Sequence, residues 1–257
     1  MTDHERYLFD LQGYLAVPNM LNAEQLAALN AILDERLEQE ASPTARTHRF
    51  FPLLDWGGPY LDLIDNEPVL PYLEAMLGPN FRLDHEYADV IRVGKGPIGA
   101  TLHGGGSPFG APFYYRYSEG RMYNGLCVVA YNLKDVNPGD GGFAAVPGSH
   151  KSNLPFPDDW RELDNTQPIV QPVTGPAGTA IFFTEALTHG TLPWNGADER
   201  RTVFYKYSPH ALSWAAYFYD ADDYPNMTER QRAILEPPNA RYPGREAHVY
   251  GGRRRAK

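Results

Sequence analysis

Leu26, Leu29, Leu33 and Leu37 recur at three- and four-residue spacing, while Glu24, Asp34, Glu35 and Glu38 fall elsewhere on the wheel. That pattern predicts an amphipathic helix running to about Glu40, its apolar stripe free to back a sheet. Asn22 precedes it with Gln25 at the third helical position, an approximate capping box. Upstream, Thr2 or Asp3 can cap a short helix that stops at Gly13, and Tyr14–Val17 then reads as a strand ended by Pro18. Residues 41–60 read as a loop in which Arg46, His48 and Arg49 are surface charge. A further helix is expected over Asn66–Leu77, stopped by Gly78-Pro79.

After Pro79 the pattern changes to short runs rich in Val, Ile, Phe and Tyr, punctuated by Gly, Pro, Asn and Asp. The expected strands are Phe81–Asp84, Tyr87–Val93, Gly99–His103, Gly125–Leu133, Gly142–Val146, Ile169–Pro172, Thr179–Thr184 and Thr202–Ser208. Segments at this spacing favour a barrel or sandwich over a parallel α/β sheet. Two insertions interrupt them: Ser107–Tyr123, dense in Phe and Tyr, and the polar Lys151–Pro168. Beyond Pro209, aromatics cluster in Trp214–Tyr219 and a short helix is expected over Thr228–Leu235. The reading is one mostly-β domain over residues 1–257, with helices in 1–80 packed on a barrel in 81–209 and an extension over 210–257.

Composition narrows the setting. The single cysteine, Cys127, rules out an intramolecular disulfide and sits in an apolar run, so it reads as buried packing in a reducing cytoplasm. No apolar run reaches 18 residues, and the start lacks the order of a signal peptide, so no membrane partner is expected. A net charge of -9 at pH 7 argues against a nucleic-acid polymer and leaves a small molecule as the expected partner. The basic tail Arg253–Lys257 reads as a solvated end. Nothing in the pattern sets an oligomeric state.

Two histidines, His103 and His189, each follow an expected strand and each precede glycine. Between them lies Asp135-Val-Asn-Pro-Gly-Asp-Gly-Gly-Phe-Ala-Ala-Val-Pro-Gly-Ser-His-Lys151; after His189-Gly-Thr191 come Arg200 and Arg201. This order resembles the phytanoyl-CoA dioxygenase family of non-haem iron(II)/2-oxoglutarate oxygenases, over a span from Gly13-Tyr-Leu-Ala-Val17 to near Pro209. The resemblance implies a double-stranded β-helix (jelly-roll, cupin-like), Fe(II) held by His103 and His189, and 2-oxoglutarate held through its distal carboxylate by Arg200 or Arg201. Strand alternation lets only one of these arginines point inward; Arg200 is assigned, with Thr191 as a hydroxyl donor to the same carboxylate. Iron that must also bind a bidentate acid and dioxygen takes about three protein ligands, normally two His and one carboxylate. His150 belongs to the Pro-Gly-Ser-His turn and reads as structural, and His85 and His210 as ordinary histidines.

Where family hydroxylases carry aspartate two residues after the first histidine, this chain has Gly105. That departure resembles the aliphatic halogenases of the same superfamily, in which alanine or glycine replaces the acid and chloride occupies the open position. The expected activity is therefore chlorination of an unactivated aliphatic C–H. The alternatives are an iron site completed by a carboxylate from elsewhere, with Asp140 and Glu119 as candidates, hydroxylation with two His ligands and water, and a non-catalytic binding member of the fold. The Ser107–Tyr123 insertion, with Tyr115, Arg116 and Arg121, reads equally as a lid that contacts a planar anionic small molecule such as a nucleotide or as aromatic packing on the barrel.

Overall fold

In the computed structural model, which describes residues 1–42, 44–94, 101–163 and 166–240, the hydrophobic alternation resolves into two facing antiparallel sheets. The larger contains, in spatial order, β1 (Tyr14–Val17), β9 (Ala180–Thr184), β6 (Cys127–Asn132), β11 (Arg200–Pro209), β3 (Phe81–Ile91) and β2 (Thr47–Phe50). The smaller contains β10 (His189–Leu192), β7 (Gly142–Ala145) and β8 (Gln171–Pro172), and β4 (Tyr115–Ser118) pairs with β5 (Arg121–Asn124) as a separate hairpin. Period-two alternation gives the large sheet two apolar faces. Val129, Tyr131, Phe182, Val203, Tyr205 and Tyr207 pack outward beneath the helices, while Val128, Ala130, Ile181, Phe183 and Phe204 pack inward against Phe143 and Ala145 of the small sheet.

The outer layer is α1 (Asp3–Gln12), α2 (Ala23–Glu40), α3 (Gly58–Asp62), α4 (Leu70–Leu77) and, late in the chain, α5 (Glu229–Leu235). Thr2 caps α1 reciprocally with Glu5, and Asn22 caps α2 with Gln25, as the sequence pattern predicts. Buried tyrosines tie the helical layer to the sheet, with Tyr205 donating to the Tyr60 carbonyl at 2.5 Å and Tyr207 to the Leu63 and Ile64 carbonyls. Cys127 is fully buried on this side, and burial pushes its thiol pKa well up.

Several elements differ from expectation for identifiable reasons. α4 starts at Leu70 rather than Asn66, because Pro71 is tolerated only in the first turn of a helix. The expected loop 41–60 contains β2, whose Thr-His-Arg-Phe pairs with the edge of β3. The two strands expected over 81–93 are one, since the polar run between them is buried with partners: Arg82 and His85 both bond Asp84, and β11 is irregular opposite it between Lys206 and Tyr207. The Ser107–Tyr123 insertion contains β4 and most of β5. Gly99 at the start of the expected strand Gly99–His103, and the basic tail, lie outside the described residues. No helix among the described residues is long and apolar enough to cross a membrane.

Candidate functional site

His103 and His189 meet because their backbones do. Each donates its amide to the other's carbonyl, at 2.8 and 2.9 Å, and the two imidazole centroids stand 4.3 Å apart. His189 opens β10 and is buried, whereas His103 is at the mouth of the site. Both rings have a fixed tautomer. Nδ1 of His103 lies 3.1 Å from the Thr101 carbonyl and Nδ1 of His189 lies 2.8 Å from that of Leu187. A carbonyl only accepts, so each neutral ring donates from Nδ1 and keeps its lone pair on Nε2. Burial pulls the His189 pKa down to about 4, against the opposing effect of Glu185. Its imidazole is thus neutral at physiological pH, as a metal ligand must be.

The pair opens onto a cavity of about 540 Å³ between the two sheets. Register explains its walls: the inward residues of β3 and β11 are His85, Tyr87 and Asp89 beside Lys206, Phe204 and Thr202, and those of β7 and β10 include Phe143, His189 and Thr191. Trp214 and Tyr217 close it from the segment after β11, and Phe113 from the insertion. Trp214 stacks on His85 at 5.0 Å and donates its backbone amide to Asp84.

Arg200 and Arg201 separate as strand alternation requires. Arg201 faces the helices, bound to Asp34 and Glu199 at 2.6 Å each. Arg200, on the inward face, is buried against Gly142, where an added Cβ would lie 3.2 Å from its Nε. That Nε has no hydrogen-bond partner among the described residues. Burial lowers the Arg200 pKa to about 10, offset in part by Asp89 and Tyr87, and leaves it a cation at neutral pH. Gly142 pairs with Leu192 and its neighbour Phe143 with Thr191, so His189, Thr191 and Arg200 follow one another along the barrel interior.

Gly105 has a backbone role. Its φ of +109° is one that L side chains rarely adopt, and an added Cβ would sit 3.2 Å from Thr188 Oγ1. The carboxylates weighed as substitutes are elsewhere. Glu119 is exposed in the β4–β5 turn, and Asp140 binds the Asn137 amide beside another surface hollow. The structure also does not bring Tyr115, Arg116 and Arg121 to the cavity. Tyr115 donates to Asp10 of α1 and packs edge-on against the buried His150, while Arg116 and Arg121 are exposed on the hairpin.

Glu185 is the residue that sequence reasoning missed. It occupies the four-residue turn between β9 and β10, held by its own amide on the Leu126 carbonyl and by Leu187 on Thr184. Its Oε2 lies 4.0 Å from His189 Nε2, and its Oε1 accepts from Lys206 at 2.6 Å. Burial alone would raise its pKa; Lys206, His189 and His103 outweigh that and hold it down at about 2. As the side chains stand, no three His, Cys, Asp or Glu among the described residues are close enough to share an ion. Arg49 and His85, which the sequence pattern does not assign to the site, both line the cavity, Arg49 in a two-pronged pair with Asp89 at 2.7 Å.

No curated protein sequence matches the chain. Among solved structures the chain is similar to HygX from Streptomyces hygroscopicus with nickel and 2-oxoglutarate bound, at 24% identity and a TM-score of 0.75, over 86% of this chain and 93% of that one. It is similar also to HygX with nickel, 2-oxoglutarate and hygromycin B bound, at 23% identity and a TM-score of 0.72, over 86% and 94%. A third similar structure is SnoK, a non-heme alpha-ketoglutarate-dependent carbocyclase from nogalamycin biosynthesis, at 16% identity and a TM-score of 0.61, over 82% and 85%. The cupin-like fold is therefore shared with HygX and SnoK, and residues 110–202 match the family model for phytanoyl-CoA dioxygenase (PhyH).

Proposed function

We propose that this protein is an Fe(II)- and 2-oxoglutarate-dependent oxygenase that oxidises an aliphatic C–H bond of a small molecule. The observation that carries the reading is the run of complementary groups along one barrel interior: two Nε2 lone pairs, the Thr191 hydroxyl, and a buried guanidinium whose Nε lacks a partner. Such a cation is costly to bury alone and is relieved by a carboxylate. His103 and His189 would hold the metal, and Arg200 with Thr191 would hold the distal carboxylate of the cosubstrate. Bound together, iron and 2-oxoglutarate supply activation of dioxygen coupled to decarboxylation of the oxo acid to succinate. The chain's own residues orient the imidazoles through the Thr101 and Leu187 carbonyls and exclude water with Phe143, Phe183 and Phe204.

Oxygenation is favoured over chlorination by two observations. Gly105 has a conformational reason to be glycine, and an ionised carboxylate already lies beside the histidines. A chloride would have to enter next to that charge. For substrate, the aromatic rim of Phe51, Phe113, Trp214 and Tyr217, with the Arg49–Asp89 pair and His85, suits a polar ringed molecule. Hygromycin B, present in the HygX complex, and nucleotides make a suitable first panel.

Succinate release with Fe(II), 2-oxoglutarate and this panel, assayed with and without halide, tests the reading. Halide-independent turnover and a product heavier by one oxygen are expected. A chlorinated product would establish halogenation instead, and absence of any iron-dependent succinate would leave a binding protein. Arg200→Met should raise the KM for 2-oxoglutarate about 10- to 100-fold, the worth of a charged hydrogen-bonded contact.

A further inference from the structure

We propose that Glu185, from the turn between β9 and β10, supplies the carboxylate of this metal site in place of the position two residues after the first histidine. The inference rests on the metal-binding reading above and deepens it. Of the carboxylates on the inward face, Asp89 is held by both prongs of Arg49, and Glu185 is within ion-pair reach of a site histidine; the carboxylate of Glu86 points the other way, toward the Leu53 and Leu54 amides.

Donor atoms about 2.1 Å from one ion stand about 3 Å apart when adjacent and about 4.2 Å apart when opposed. Glu185 Oε2 and His189 Nε2, at 4.0 Å, are inside that range and need to close by only about 1 Å to become adjacent ligands. The backbone makes this approach cheap to keep. Residues 185 and 189 flank one tight turn whose Thr188 amide is bound by Ser149 Oγ and whose Thr188 carbonyl accepts from Val146. His103 is fixed to the same segment by its two backbone bonds with His189. All three donors therefore ride on one small rigid unit, the arrangement a metal site requires.

Lys206 completes the argument. A buried carboxylate needs a counter-charge when no metal is bound, and Lys206 provides it at 2.6 Å through Oε1, leaving Oε2 toward His189. Carboxylate oxygens bound to metals are themselves hydrogen-bonded, and Lys206 is placed to do this as well. Gly105 is then free to serve the loop, because its position no longer has to carry a ligand.

Cobalt(II) uptake by the full-length, metal-free protein, followed by calorimetry and by its visible absorption, tests this directly. Wild type should bind one ion per chain. Glu185→Gln should weaken binding by at least about 10-fold, the lower bound seen even for groups that only support ligands, and should change the cobalt spectrum. Glu119→Gln, which removes an exposed carboxylate of the β4–β5 turn, should not weaken it. Glu185→Gln binding as wild type does, or both variants losing affinity alike, would overturn the proposal while leaving the histidine site standing. Wild type taking up no ion would instead overturn the metal reading itself, and this inference with it. Should Glu185→Gln fail to fold, crystals of cobalt-loaded wild type decide. A Glu185 oxygen within about 2.2 Å of the ion supports the assignment, and a chloride or water there with Glu185 still on Lys206 refutes it.

Discussion

At the scale of single residues, Gly105 shows how a missing side chain can have two causes. Read along the sequence it is a lost acid; in the structure it is a residue at φ +109° whose Cβ would press on Thr188 Oγ1 at 3.2 Å. Replacing it therefore has a backbone cost whatever the new side chain can coordinate. Gly105→Asp and Gly105→Ala should each lose about 1–3 kcal/mol of stability, the usual cost of a side chain in such a region, measured by chemical denaturation of the metal-free protein. Cobalt affinity of Gly105→Asp should not rise. A stable aspartate variant that binds cobalt more tightly would show that the loop readily presents an acid to the metal, contrary to this account.

At the scale of elements, β3 and β11 show what period-two alternation makes legible. It separates Arg200 from Arg201, because neighbours on a strand face opposite ways. It also brings Glu86 to the helix-facing side, fully buried, where its Oε1 accepts from the Leu53 and Leu54 amides. Burial raises its pKa from 4.5 to about 8. A carboxyl whose folded pKa exceeds its unfolded value contributes stability that is complete below the unfolded value and lost as pH climbs through the folded one. Wild type should thus lose up to about 4 kcal/mol relative to Glu86→Gln between pH 5 and pH 8, since the amide has no proton to release. Parallel stability curves for the two proteins over that range would place the Glu86 pKa near normal.

Alternation does not reach turns, and that is where the reading fell short. Glu185 and His189 are four apart, a spacing that brings side chains together on a helix but says nothing in a strand–turn–strand unit. Only the Leu187-to-Thr184 bond that closes the turn sets them side by side. Trp214 and Tyr217 were legible as an aromatic cluster, but their place over the cavity follows from Asp84 accepting the Trp214 and Ala215 amides, a pairing across 130 residues of chain. The insertion misled for the opposite reason. Tyr115 is aromatic and near a histidine, but the histidine is His150, and both serve the contact with α1.

At the scale of the whole molecule, the candidate ligand groups are divided between the two sheets. His189 belongs to the small sheet and His103 is bonded to its backbone, while Arg200 belongs to the large one. A metal binds only the first set; a 2-oxo acid chelating that metal and reaching Arg200 ties both sheets together. Ligands that bind only the folded state stabilise it by mass action, about 2.7 kcal/mol at a hundredfold excess over Kd. For a domain of this size that amounts to a rise of about 5–10 °C in Tm. Cobalt(II) alone should raise the Tm of the metal-free protein, 2-oxoglutarate should add a second increment only when metal is present, and a chelator should reverse both. Arg200→Met should keep the first increment and lose most of the second. If 2-oxoglutarate instead stabilises Arg200→Met as much as wild type, the distal carboxylate is anchored elsewhere, and Arg49 and Lys206, the cations that line the cavity itself, become the groups to remove next.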